Sequence, residues 1–255
     1  MSKPKKYIAS CSFGKDSIAT ILLALENNEP LDRVVFSEVM FDHKKGISGE
    51  VPEHIEWVYN FAIPKLESMG VTVDVVKSRK DYKHLCLQVL KSGKNKGKCY
   101  GVQNSKPCYA NSDLKLAPIR SYLRRWNKGY DVVQYVGIAA DEPKRLARLE
   151  GTNKVSLLSK YGYTEAMAKE KCREYNLLSP QYRGGQSRNG CWFCFNAHID
   201  RYISIKQQHP EWWQQFKDLY KETGSKSFKY NATLEDVEQK MDAKEYQDKH
   251  QLKLF

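Results

Sequence analysis

Residues 7–17 read YIASCSFGKDS, and the passage from an apolar run into a glycine turn decides the fold. The stretch KKYIASCSF predicts a short strand. From Asp16 onward Ile18, Ile21, Leu22 and Leu25 recur at helical spacing, so the turn opens a helix. A glycine turn between a strand and a helix start is an anion site, because backbone N–H groups point at the ligand and the helix dipole adds positive potential. Ser12 and Ser17 add hydroxyl donors, and Lys15 adds a point charge against phosphate. Asp16 does not suit a bare phosphate cradle; it anchors the loop or helps to hold Mg²⁺. The spacing is neither G-x-x-x-x-G-K-[ST] nor G-x-G-x-x-G.

Outward from this stretch the chain alternates strand and helix. DRVVFSEVMFD predicts a second strand and VTVDVVKS a third. DVVQYVGIAADE predicts a fourth that runs into a loop. Between them, VPEHIEWVYNFAIPKLESMG predicts a helix closing at Gly70, with Pro64 as a kink or break. DLKLAPIRSYLRRWNKG predicts a basic amphipathic helix entered at Asn111 or Ser112 and ended by Gly129. This order implies the α/β class: an open, mostly parallel sheet with helices on both faces. In such sheets ligands sit beyond the carboxyl ends of the strands, where Cys11–Ser17 and Gly137–Glu142 both fall. Three more patterns, TEAMAKEKCREYN, HIDRYISIKQQHPEWWQQFKDLYKETG and TLEDVEQKMDAKEYQDKHQ, make the C-terminal part mostly helical. The expected organisation is a nucleotide-binding domain over residues 1–200, which includes the cysteine site, and a helical extension over 201–255 packed on it.

Charged residues make up 28% and hydrophobic ones 41%, the balance of a folded, soluble chain. No apolar run reaches the length of a membrane span, and the basic N-terminus lacks a signal-peptide core, so the expectation is a cytoplasmic protein. The net charge of +12 favours polyanionic partners, RNA or DNA or nucleotides, or else reflects a plain lysine-rich surface. Lysines cluster at 77–98, and Lys115, Arg120, Arg124, Arg125 and Lys128 follow on the basic helix. QYRGGQSRNGCWFCFNAH mixes Arg183 and Arg188 with Tyr182, Trp192 and Phe193; this suits a stacked nucleic-acid strand, or aromatics packed around a metal site.

The seven cysteines are an odd number in a compartment that does not use disulfides as staples. Cys191 and Cys194 form a C-x-x-C that can reach one metal, and Cys99 and Cys108 flank a Gly- and Asn-containing loop close enough to supply two more thiolates. Four such cysteines fit a [4Fe–4S] cluster or a tetrahedral Zn²⁺; a C-x-x-C alone also fits a redox dithiol. Cys86 and Cys172 lie in apolar helical patterns and read as packing residues. Cys11 reads the same way, with a reactive thiol beside the turn as the alternative.

SFGKDS resembles the PP-loop, S-G-G-x-D-S, of the N-type ATP pyrophosphatase superfamily. The resemblance implies an adenine nucleotide alpha hydrolase-like fold and a loop that holds the pyrophosphate of ATP. Phe13 replaces the usual first glycine, a departure also found in the phosphoadenosine-phosphosulfate (PAPS) reductase branch. GIAADEPKRL at 137–146 resembles that branch's G-[IV]-R-x-D-E-S-x-R segment, with Ala139 where the family often has arginine. CYANSDLKLAPIRSYL and VSLLSKYGYTEAMAKEKCREYNLLSPQY resemble two further segments of it, so the likeness runs from about residue 7 to about residue 200. It implies nucleotide contacts from Ser10, Ser12, Phe13, Gly14, Lys15, Asp16, Ser17, Gly137 and Arg145. It implies catalytic roles for Lys15, Asp16, Asp141 and Glu142, with ATP and Mg²⁺ bound. The cysteine layout is similar to that of DndC-type proteins, which favours [4Fe–4S] over Zn²⁺ at Cys99, Cys108, Cys191 and Cys194.

The function so implied is adenylation of a substrate with release of pyrophosphate, coupled to iron–sulfur-dependent sulfur transfer to a nucleic acid, with a protein sulfur donor as a further partner. Two alternatives stand. One is a PAPS or adenylylsulfate reductase; that branch attacks with a cysteine in a C-terminal E-C-G-x-H motif, and this chain has no cysteine after Cys194. The other is a non-catalytic nucleotide- or nucleic-acid-binding protein with structural zinc.

Overall fold

The computed structural model describes residues 3–182 and 190–251. Arg183 and Arg188, expected beside the aromatic residues, lie outside the described residues. In chain order the strands are β1 (Lys5–Cys11), β2 (Arg33–Glu38), β3 (Met40–Asp42), β4 (Ile47–Ser48), β5 (Val73–Lys77), β6 (Asp131–Val136) and β7 (Lys154–Val155). The α-helices are α1 (Lys15–Glu26), α2 (Pro52–Trp57), α3 (Ile63–Ser68), α4 (Tyr82–Leu87), α5 (Ala117–Trp126), α6 (Pro143–Leu146), α7 (Leu157–Lys160), α8 (Glu165–Glu174), α9 (Ile199–Gln208), α10 (Pro210–Glu222) and α11 (Leu234–Gln251). The chain forms two compact units, one from residues 1–38, 51–78 and 115–189, the other from 39–50, 79–114 and 190–255. The boundary expected at residue 200 falls inside the last stretch of the second unit.

The first unit is built on a five-stranded parallel sheet in the order β5-β2-β1-β6-β7. A parallel sheet is covered on both faces, and β1 shows it: Ile8 and Ala9 point to opposite sides and both are buried. One face carries Ala9, Cys11, Val34 and Phe36 against the apolar side of α1 and against Leu157, Leu158, Ala168 and Cys172 of α7 and α8. The other carries Ile8, Val35 and Val132 against Ile119, Tyr122 and Leu123 of α5. The chain builds outward from β1 through β2 to β5, then crosses back to place β6 on the other side of β1. The strand order reverses between β1 and β6, and in this class of sheet ligand sites form at the carboxyl ends of the strands at such a point.

Two prolines within helical stretches are met by one device. Pro64 and Pro118 each lack the N–H that would continue the helical ladder. A π-helical segment precedes each of them, Val58–Ala62 in the first case and Asn111–Leu116 in the second. The wider turns absorb the missing bond, so the expected break at Pro64 is a change of helix type instead. The first stretch ends as expected at Gly70, whose φ is +84°.

DRVVFSEVMFD is not one strand, as expected, but two. The parallel ladder of β2 ends with Glu38 opposite Lys77. Met40–Asp42 then turns to an antiparallel partner, β4, in the second unit. In that unit Phe41, Tyr82, Trp192 and Phe193 form one aromatic cluster, with Phe193 stacked on Tyr82 at 4.0 Å. Pro210 separates α9 from α10, and Trp213, Phe216 and Leu219 of α10 are buried, so HPEWWQQFKDLY is a packing helix. Among the described residues no helix is long and apolar enough to cross a membrane.

Candidate functional site

The turn after β1 is rigid because its polar groups are satisfied from within. The Ser12 N–H donates to Ser17 Oγ at 3.2 Å, and Ser17 Oγ donates to the Gly14 carbonyl at 2.9 Å. The Phe13 N–H donates to Cys11 Sγ at 3.2 Å, and the Lys15 N–H donates to the Tyr182 hydroxyl oxygen at 3.2 Å. Gly14 is the N-cap of α1 and supplies no side-chain cap, so the positive end of the helix keeps room for an anion. Phe13 stands where the resembled family has glycine, and its φ is +54°. A non-glycine residue there carries about 1–3 kcal/mol of strain. Burial of the ring contributes about 1.5–3 kcal/mol, and its edge-to-face contacts with Phe36 at 5.1 Å and Trp57 at 6.4 Å add to that. Burial and packing therefore outweigh the strain. The Phe13 ring fixes the turn to the core.

Lys15 is nearly buried, and its Nζ donates to Asp16 Oδ1 at 2.9 Å and to Glu165 Oε2 at 2.7 Å. Burial alone lowers its pKa, but the two carboxylates outweigh burial and hold the ammonium above its ordinary value. Burial raises the Asp16 carboxyl despite Lys15, and the charges of Glu165 and Glu142 push the same way. Asp16 thus shares one electrostatic neighbourhood with Lys15, Glu165 and Glu142. Glu142 accepts from the Ala139 N–H at 3.1 Å and from Arg145 Nη1 at 2.5 Å. Arg145 is half-exposed, and its guanidinium is engaged by Glu142. Asp141 accepts from the Glu165 N–H at 3.1 Å, which places it as a brace for the start of α8.

Gly137 follows β6 and abuts the first turn of α1. A Cβ there would lie 2.7 Å from the Ser17 nitrogen and 2.8 Å from the Asp16 carbonyl carbon. Backbone packing against the turn is by itself enough to require a glycine here. Ser10 accepts from Gln134 Nε2 at 2.6 Å across the β1–β6 ladder, so its hydroxyl ties the two strands together beneath the turn.

At this end of the sheet Glu165 and Glu38 were not read from sequence, and Tyr182, read there as part of an aromatic and basic stretch, is instead buried against the turn. Glu165 and Tyr182 converge on Lys15 from α8 and from the segment after it, and no spacing signal links them to the turn. Glu38 ends β2 as a buried carboxylate, accepting from Tyr59 Oη at 2.5 Å and Lys77 Nζ at 2.7 Å. An acid closing the apolar run VVFSE was the available signal for it.

The cysteines fall into two populations. Cys11, Cys86 and Cys172 are buried, as expected of packing residues, and burial pushes their thiols up to about 11, 12 and 12. Cys99, Cys108, Cys191 and Cys194 are only partly buried and all lie in the second unit. Cys191 pairs with Glu50 in an isolated antiparallel bridge, and the Cys194 N–H donates to the Cys191 carbonyl at 3.2 Å, so the C-x-x-C is a tight turn. The charge of Cys108 acts on Cys194. The buried Arg201 lies 3.5 Å from the Cys191 carbonyl, and Lys229 Nζ donates to the Ala197 carbonyl at 2.8 Å. Among the described residues no three His, Cys, Asp or Glu side chains are gathered tightly enough to hold a single metal ion.

In kind, these donors fit an iron–sulfur cluster: four thiols in one unit, partly shielded, with cationic side chains nearby to balance an anionic cluster. A single zinc ion needs its four sulfurs about 3.8 Å apart, whereas in a cluster each thiolate binds a separate iron and the spacing is wider. Trp192 and Phe193 are buried in the aromatic cluster, with Trp192 Nε1 donating to the Ser48 carbonyl at 2.9 Å. They pack the C-x-x-C turn and offer no face for stacking a base.

No protein-family model matches the chain, and no curated protein matches it. Among solved structures it is similar to the U34-tRNA thiolase NcsA from Methanococcus maripaludis with its [4Fe–4S] cluster. The match has 14% identity and a TM-score of 0.41, over 86% of this chain and 73% of that one. A likeness this distant carries no weight on the chemistry of the present chain.

Proposed function

We propose that the chain is an ATP-using enzyme of the PP-loop type, on the PAPS reductase/DndC-like branch. It adenylates a substrate, releases pyrophosphate, and couples this to sulfur transfer to a nucleic acid. The observation that carries the reading is the turn itself: a buried lysine, two serine hydroxyls and an uncapped helix start, at the point where the strand order reverses. Such a site holds an anion, and the caged Lys15 supplies its fixed positive charge.

Each residue has a role in this reading. Lys15 exchanges its Glu165 partner for a phosphate oxygen and stabilises the charge that develops on the leaving pyrophosphate. Ser12 and Gly14 hold the same group through hydroxyl and backbone donors, and Ser17 joins them as its hydroxyl turns from the Gly14 carbonyl. Asp16 and Glu142 are the oxygen donors for Mg²⁺, which keeps several waters and takes only one or two carboxylates beside substrate phosphates. When bound, that ion supplies positive charge to the phosphates. Asp141 keeps α8, and with it Glu165, in register with the turn, while Arg145 turns from Glu142 to a phosphate. Cys99, Cys108, Cys191 and Cys194 are the thiolates for a [4Fe–4S] cluster, which supplies iron and sulfide for handling sulfur.

The test is pyrophosphate release from ATP by wild type and Lys15→Ala. Loss of one preorganised charge contact in a water-poor site lowers the rate by about a hundredfold or more. Release by the variant at the wild-type rate would overturn the assignment of the turn.

A further inference from the structure

The second unit contains an open cavity of about 790 Å³, apart from the C-x-x-C turn but lined in part by Cys99, with walls drawn from residues 90–109 and 221–227. Its volume is in the range of ligand sites. The walls are preformed: the Val102 N–H donates to Ser225 Oγ at 2.9 Å, Asn104 Nδ2 to Ser227 Oγ at 2.6 Å, and Tyr109 Oη to the Gly101 carbonyl at 2.5 Å. Gly101 has φ +83°, and a Cβ on it would lie 2.8 Å from Ser225 Oγ, so the two segments meet closely there.

Charge on this cavity is one-sided. Lys98, Lys106, Lys221 and Lys226 line it, with Glu222 as the single acid. All four lysines are exposed, and among the described residues none of them forms an ion pair. Elsewhere in the same unit Lys83, Lys206, Lys217 and Lys244 pair with Asp42, Asp242, Glu238 and Asp200. Beside the cavity the backbone folds on itself, with Val89 opposite Cys99, and carries Lys91, Lys94 and Lys96 on its exposed tip. Tyr100, also in the lining, is 49% exposed and rests edge-on against Tyr109 at 4.7 Å. Unpaired cations along a groove with an open aromatic face are what a single nucleic-acid strand requires: lysines track the phosphates and the ring takes a base.

We infer that this cavity is a docking site for a single-stranded nucleic-acid segment, gripped through its backbone by Lys98, Lys106, Lys221 and Lys226 and stacked on Tyr100. The inference deepens the proposed function by placing its acceptor, and it rests on that reading only for the identity of the acceptor as substrate.

The probe is a fluorescein-labelled, mixed-sequence RNA oligonucleotide, titrated with the full chain at several salt concentrations. The quadruple Lys98→Ala/Lys106→Ala/Lys221→Ala/Lys226→Ala variant is expected to bind at least tenfold more weakly. Its plot of log affinity against log salt should flatten by roughly 3, from about 0.7 for each lost single-strand contact. Tyr100→Ala is expected to bind about tenfold more weakly with an unchanged salt slope. The control Lys206→Ala/Lys217→Ala/Lys244→Ala, which removes paired lysines of the same unit, should bind as wild type does. Equal loss in the control, or no loss in the quadruple variant, overturns the site. Displacement of the RNA by AMP at matched nucleotide concentration also overturns it, because the cavity would then be a mononucleotide pocket. Pyrophosphate release separates the two readings. If wild type releases pyrophosphate but does not bind the RNA, the docking site fails and the adenylating reading stands. If it binds the RNA at this cavity but releases no pyrophosphate, the docking site stands and the adenylating reading fails.

Discussion

The start of α1 and the cavity beside Cys99 treat positive charge in opposite ways. At the turn, Lys15 is nearly buried and held by Asp16 and Glu165. At the cavity, Lys98, Lys106, Lys221 and Lys226 are exposed, and among the described residues none of them forms an ion pair. The first arrangement is neutralised from within, so under the proposed reading an anion must displace a carboxylate to reach Lys15. The second stays open, attracts a polyanion from a distance and weakens in salt. One is suited to selective grip on a small, highly charged group, the other to fast capture of a long one.

The sharpest way to break this comparison is at the thiols of the second unit. Iron and sulfide are expected in protein purified without oxygen, and both should be lost in Cys191→Ser/Cys194→Ser, as read by metal and sulfide analysis with a visible spectrum. Zinc in place of iron would make that cysteine site structural.

Next in size is Gly137→Ala. A Cβ set 2.7 Å from a backbone nitrogen must displace the start of α1. Urea unfolding should show a loss of about 3 kcal/mol, with pyrophosphate release falling along with it. Wild-type stability would mean that the turn is looser than its hydrogen bonds imply.

The buried thiols give a pH dependence. Cys11, Cys86 and Cys172 have an ordinary value of 9.0, and burial raises them to about 11, 12 and 12 in the fold. The unfolded chain therefore gives up these protons first. Their contribution to stability is complete below pH 9 and declines as pH rises toward the folded values. Chemical denaturation from pH 8 to pH 11 should show that decline, and replacing Cys172 with Ala should reduce it.

The smallest effect belongs to Glu165→Gln. Removing the charge that competes for Lys15 should tighten binding of inorganic pyrophosphate several-fold, measured by calorimetry. Weaker binding would show that Glu165 positions the lysine instead of competing with a phosphate for it.

What the sequence disclosed, it disclosed through local chemistry. β1, α1 and the turn between them are legible because apolar spacing and a glycine lie within a few residues of each other. Gly70 and Gly129 mark helix ends for the same reason. Both π segments escaped notice, since the prolines announce a disturbance without saying how the backbone absorbs it. β4 and β7 are two residues each and have no period to detect. β3 reads as a continuation of β2 because nothing in VVFSEVMFD marks the change of partner. At the site, Lys15, Asp16 and Gly137 carry their own signals. Glu165 and Tyr182 are recruited from far along the chain by packing, and only the fold brings them to the lysine. Likewise, no count of lysines distinguishes the paired from the unpaired.

Phe13 has a consequence for time scales. In a turn made of glycines, backbone amides exchange with solvent through small local openings. Here the turn cannot open without drawing a ring out from between Phe36 and Trp57. Deuterium should therefore enter the Phe13 amide, which donates to Cys11 Sγ, only as fast as the whole unit unfolds. The turn at the start of α1 is then among the slowest-exchanging parts of the chain.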